Sequence, residues 1–185
     1  MGNPRFATTK DLLSSFPAAA AYLRDAGSPE VSLHYVERRV AEKRLDLAIS
    51  YCAFLLPRRE AVWWGCQCIA DVDSLNDCER ECVGVARAWA LRPDETRRLR
   101  ALKKGLDSSN MLSGTWMALA VGRSGGNVAP AEAEPVAADP AATALAVRAA
   151  LLSGATRVAH DARDAIMQRW VTLALSHIER GVEFR

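Results

Sequence analysis

Asn76-Asp77-Cys78-Glu79-Arg80-Glu81-Cys82-Val83-Gly84-Val85-Ala86-Arg87-Ala88-Trp89-Ala90-Leu91 carries the periodicity on which the fold turns. Cys78, Cys82, Val85, Ala86 and Trp89 recur at steps of three and four, while Glu79, Arg80 and Arg87 fall elsewhere. That spacing predicts an amphipathic helix with one buried face. Signals for strands are nearly absent from the rest of the chain. Period-two alternation is rare, no Asn-Gly or Asp-Gly hairpin turn occurs, and alanine and leucine stand in place of β-branched runs. The expected class is all-α, a compact multi-helix bundle of antiparallel helical hairpins.

Downstream of that helix, Pro93 with Asp94 and Glu95 opens another, whose narrow apolar stripe of Leu99, Leu102 and Leu106 predicts a surface position. Ser108 or Ser109 can cap a more apolar helix holding Met111, Leu112, Trp116 and Leu119, ending near Gly122. Residues 123–139 then turn to Gly, Pro, Ala and Glu without periodicity, which predicts a long exposed connector, mobile or draped over the surface. Asp139-Pro140 can open an Ala-rich helix to about residue 153. A final helix over about 156–180 carries Ile166, Trp170, Leu173 and His177 along one side. Together these form a C-terminal helical hairpin, 140–181, expected to dock on the rest.

Upstream, Thr8 or Thr9 is a candidate N-cap, Pro17 divides the first helical region, and Gly27 is a natural C-cap. Ser28-Pro29-Glu30 restarts the chain with a cap and a proline at the first helical position. Three consecutive helices follow, over about 30–43, 44–56 and 57–70. No fixed-period repeat supports a solenoid. One domain of residues 1–185 is expected, with core helices over about 9–122.

The chain's 185 residues are half hydrophobic and a quarter charged, enough for a core without disulfide staples. Lys and Arg number 24 against 22 Asp and Glu, a net charge of +2 that lacks the positive field of a nucleic-acid binder. Residues 1–11 contain no apolar export segment, and the longest apolar run, 45–56, is interrupted by Asp46 and Ser50 and falls short of the roughly 20 residues that span a bilayer. Five cysteines, an odd number in no small-secreted-domain pattern, suit reduced thiols. A cytoplasmic location and no membrane partner are expected.

The most distinctive segment is Leu56-Pro57-Arg58-Arg59-Glu60-Ala61-Val62-Trp63-Trp64-Gly65-Cys66-Gln67-Cys68. On a helix, Val62, Cys66 and Ile69 share one side and Ala61, Trp64 and Cys68 another, leaving a narrow strip for Glu60, Trp63 and Gln67. One reading is a core helix whose tryptophans fill space; the other is a partner anchor. Trp and Arg are enriched where binding energy concentrates, so Arg58, Arg59, Glu60, Trp63 and Trp64 are the partner-binding candidates.

Cys66-x-Cys68 and Cys78-x3-Cys82 with Cys52 could supply four thiolates to a zinc ion. Cys66 and Cys68 point apart on a helix, and Cys78 and Cys82 share an apolar face, so buried free thiols are expected and no metal or cofactor. His34, His160 and His177 are dispersed, and His160 with Asp164 reads as a charged solvated face. No nucleophile elbow, His-Glu-x-x-His or phosphate-loop context occurs, so no catalytic residue is assigned. The basic run 97–104 has no interleaved aromatics for base stacking.

The segment Leu56-Pro-Arg-Arg-Glu-Ala-Val-Trp-Trp, followed by Ala86-Arg-Ala-Trp89 and Pro93, resembles an uncharacterised family of proteobacterial proteins marked by Leu-Pro-x-Arg-Glu-Ala-Val-Trp-Trp. The likeness covers about residues 45–125, with Gly65 where the family more often has alanine. Members are often encoded beside type VI secretion genes. The resemblance implies an accessory, adaptor or effector-chaperone role with a secretion effector or spike component as protein partner, and carries over no catalytic residue. The residues leave open a small-molecule-binding or enzymatic helical domain, and a structural zinc module.

Overall fold

The computed structural model describes residues 4–23, 26, 29–129 and 133–184. Among these, nine α-helices and one 3₁₀ segment account for the regular structure, and the only strand-like pairings are the isolated bridges Thr8 to Val31 and Asn127 to Ala137. The fold is all-α, as the sequence predicts. The helices are α1 Thr9–Ser15, α2 Ser32–Ala41, α3 Leu45–Leu55, α4 Arg58–Ile69, α5 Asp77–Leu91, α6 Glu95–Leu106, α7 Ser113–Gly122, α8 Ala142–Ala155 and α9 His160–Arg180, with the 3₁₀ segment at Pro17–Ala21.

Local chemistry explains most of the boundaries. Thr8 caps α1 in a reciprocal box with Asp11, and Asn76 does the same for α5 with Glu79. Pro57, which cannot donate to a helical ladder, separates α3 from α4. The predicted cap at Gly27 and the Ser28 start lie outside the described residues. The second helix begins at Ser32 and not at Glu30, because Thr9 N–H donates to the Glu30 carbonyl at 2.9 Å and Ser32 N–H to that of Ala7 at 2.9 Å. Those bonds hold 29–31 extended against the first segment. Likewise α7 starts at Ser113, beyond the predicted Ser108 or Ser109 cap; Ser108 Oγ instead donates to the Lys104 carbonyl at 2.9 Å.

The core is organised about α3 and α4, which are buried along nearly their whole length. Helix α4 touches α5, α7, α8 and α9, while α3 packs on α2, α8 and α9. Trp64, Trp170, Tyr35, Tyr51 and Phe54 are its largest fully buried side chains. Helices α8 and α9 follow the connector as predicted, but each packs more on earlier helices, α8 on α7 and α4 and α9 on α3, than on its neighbour.

Two predicted faces keep part of their residues and shift at one edge. On α5, Glu79 is buried with Cys82, Ala86 and Trp89, whereas Cys78 is exposed. On α6, Arg98, Ala101, Leu102 and Gly105 face inward, leaving Leu99 and Leu106 46% and 51% exposed. Both corrections have one cause: a charged side chain sits inside where the tertiary fold supplies its partners. Arg98 bonds Glu95 beside it and donates to the carbonyls of Gly122 at 2.6 Å and Asn127 at 3.1 Å. Asn127, within the connector, is thereby tied to α6. Arg58 adds a second staple, donating to the carbonyls of Ser124 at 2.9 Å and Pro140 at 3.4 Å, one at each end of the segment.

Candidate functional site

The start of α4 places two guanidiniums in different roles. Arg58 turns toward the connector. Arg59 donates from Nε to the Ala90 carbonyl at 2.7 Å and from Nη2 to that of Leu91 at 3.1 Å, satisfying the open C-terminal end of α5. A planar fork is suited to that task, since its edge carries the donors while its face stays free to stack. The face of Arg59 covers the ring of Phe184 at 3.7 Å.

One turn further on, Trp63 is 3% exposed and packs edge-on against Phe184, ring centroids 5.7 Å apart, with the Arg87 guanidinium 5.4 Å from its own ring. Its Nε1–H is buried and has no hydrogen-bond acceptor among the described residues. Trp63 lines an open cavity of about 730 Å³, together with Gln67, Arg87, His177, Arg180 and Glu183. Gln67 Oε1 and His177 Nε2 are bonded at 2.8 Å, joining α4 to α9 at its floor. Burial lowers the His177 pKa from its ordinary value, favouring the neutral ring.

Trp64 points the other way. Its Nε1 donates to the Trp170 carbonyl at 2.8 Å in the core, and Trp170 Nε1 donates to Asp71 Oδ2 at 2.9 Å. With no exposed surface, Trp64 serves as a strut between α4 and α9. Glu60 is half-buried in the first turn of α4, and its pKa is raised by burial, with the Arg59 charge pulling the opposite way.

Of the five candidates, Arg59 and Trp63 therefore meet at the ring of Phe184, where Trp63 also lines the cavity, Arg58 and Trp64 are engaged in holding the fold, and Glu60 takes part in neither. The helical strip already set Gln67 beside Trp63, but sequence reasoning did not find Phe184, Arg87 or Arg180 at this place. The chain leaves α9 at Gly181, whose φ of +81° a side-chain-bearing residue rarely adopts.

The thiols divide as well. Cys52 and Cys66 have their pKa values pushed up to about 12 by burial, and Cys68 is raised well above the ordinary value by the same cause. Cys78 and Cys82 lie 3.9 and 3.8 Å from Ser108 Oγ. Among the described residues no group of three or more His, Cys, Asp or Glu is gathered to hold a metal ion. No described helix is long and apolar enough to cross a membrane.

Against known families, the model of the family of unknown function DUF6931 matches residues 35–178. The chain belongs to this family. The matched region runs from α2 through most of α9, so it takes in the whole of α4 and the cavity residues Gln67, Arg87 and His177, and stops short of 181–184. No curated protein and no solved structure matches the chain.

Proposed function

We propose that this chain is a cytoplasmic helical adaptor or effector chaperone that binds another protein through the groove of Arg59, Trp63 and Arg87, in a role accessory to type VI secretion. One observation carries the reading: the most distinctive helix of the sequence brings an arginine face and a tryptophan ring onto one aromatic side chain, beside an open groove that the tryptophan lines. Aromatic and arginine pairs of this kind dominate protein recognition. The secretion context is supported by the resemblance of residues 56–64 and nothing in the groove chemistry opposes it.

The test is purification of the tagged protein from its native host at endogenous level, compared with Arg87→Glu, which reverses a charge on the exposed lip. Enrichment of a spike or effector protein, lost in the Arg87→Glu variant with an unchanged melting temperature, supports the reading. Enrichment of no secretion component over an untagged control overturns it.

A second reading, a small-molecule-binding domain, is favoured by the convergence of the Trp63 ring with Arg87, Arg180 and His177 on one cavity. A ligand carried through purification and released on denaturation, identified by mass spectrometry, would support that reading instead.

A further inference from the structure

The segment after α9 leaves the helix at Gly181, whose N–H still donates to the His177 carbonyl at 2.9 Å, and continues without regular structure to Phe184. Val182 and Phe184 pack against the core, and Glu183 lines the cavity beside Arg87 and Arg180. Within three residues this segment thus places an acidic side chain in a groove lined by Trp63, Arg87 and Arg180, with an apolar and an aromatic side chain packed on the core beside it. Its charge is complementary to the cations around it, and its ring takes both the Arg59 face and the Trp63 edge.

The cavity nevertheless retains about 730 Å³ with the segment in place. At Trp63, 97% buried, the indole N–H has no acceptor among the described residues. The segment satisfies the ring and part of the charge and leaves this donor unmet.

We propose that the groove recognises an extended protein segment carrying an aromatic residue next to an acidic one, and that residues 181–184 are an intramolecular stand-in for it that the partner displaces. This rests on the protein-binding reading above and specifies its partner and its control. A tethered segment acts on its own groove at roughly millimolar effective concentration. A free segment that binds with a dissociation constant near 100 μM would then be suppressed by about tenfold or more while the stand-in is seated. The partner has to exceed the stand-in, and the volume left open beside Glu183 gives it room for further contacts.

The probe is a fluorescein-labelled peptide of residues 178–185, Ile-Glu-Arg-Gly-Val-Glu-Phe-Arg, titrated by anisotropy against the full chain and against the full-length double variant Glu183→Ala, Phe184→Ala. The double variant should bind the peptide at least about tenfold more tightly than the wild-type chain. Peptides with Phe replaced by Ala or the penultimate-but-one Glu by Gln should bind it several-fold more weakly, and adding Arg87→Glu to the variant should abolish binding. Thermal melting of each protein within a few degrees of wild type keeps the comparison on folded material. Equal peptide binding by wild type and double variant overturns the stand-in, and equal binding of the Phe-less peptide overturns the aromatic specificity. If either result appears while Arg87→Glu still severs a secretion protein in the native purification, the adaptor reading stands and this proposal alone falls. Displacement of the peptide by a small aromatic carboxylate as efficiently as by unlabelled peptide also overturns it, in favour of a small-molecule site.

Discussion

Replacing Glu79 by alanine is expected to be among the most destabilising single changes at any charged residue of this protein. Glu79 is 1% exposed, and its carboxylate accepts from Arg157 Nη1 at 2.6 Å, from the Asn76 N–H at 3.2 Å and from the Gly114 N–H at 3.4 Å. The Asn76 bond is half of the box that caps α5, worth about 1 kcal/mol. Removing one partner of a buried ion pair costs about 3–5 kcal/mol. The lower end applies here, because Arg157 is partly exposed and keeps its bonds to Ser74. The bond to Gly114 is long and adds little. The sum is about 3–4 kcal/mol, which for a chain of this size lowers the melting temperature by roughly 6–16 °C.

The acid dependence supplies a second arm. Burial pushes the Glu79 pKa up, but the Arg157 guanidinium and the two backbone N–H groups pull it further down, leaving it below the ordinary value of 4.5. A carboxylate whose folded pKa is lowered stabilises the fold above its unfolded pKa and loses that contribution as pH falls through the folded value. The gap in melting temperature between wild type and Glu79→Gln should therefore be full above about pH 5 and close progressively below about pH 4. Scanning fluorimetry over pH 3–8 reads both effects. A Glu79→Ala protein melting within 2 °C of wild type at pH 7, or a Glu79→Gln gap that persists unchanged in acid, would refute the reasoning.

Three further outcomes are expected. Gly122→Ala should cost about 2–3 kcal/mol in urea unfolding, because a Cβ there would lie 2.5 Å from Leu102 Cα and force α6 off α7. Gly65→Ala should instead stay within about 1 kcal/mol of wild type, since its Cβ meets the flexible Met117 Cε at 2.8 Å and the gain in helix propensity offsets the adjustment. Ellman's reagent at pH 8 should react rapidly with Cys78 alone in the native protein and with all five thiols after denaturation, as the other four cysteines are buried; fast release of two or more equivalents from the native chain would contradict the packing of α3 to α5.

The helical class, the positions of α3, α4 and α5 to within a few residues, and the burial of α4 were legible from the sequence. Helix formation is a local matter of 3.6-residue spacing, proline placement and caps, all written within a dozen neighbouring residues. Even the Asn76 to Glu79 box was there to be read. That Glu79 and not Cys78 joins Cys82, Ala86 and Trp89 on the buried side of α5 was not, because apolar spacing favours Cys78 over Glu79. A carboxylate can be buried only where its partner arrives, and Arg157 comes from 78 residues further along the chain.

The same distance separates the two readings of Arg58, Arg59, Trp63 and Trp64. Their composition announces a distinctive helix, but its strut to Trp170, its staples on the connector and its groove under Phe184 are set by segments 66 or more residues away. Sequence determined that these side chains would lie on one helix. Only the tertiary structure decided which of them are consumed in holding the fold and which face a groove, because each guanidinium and indole can serve either end and the neighbours it meets make the choice.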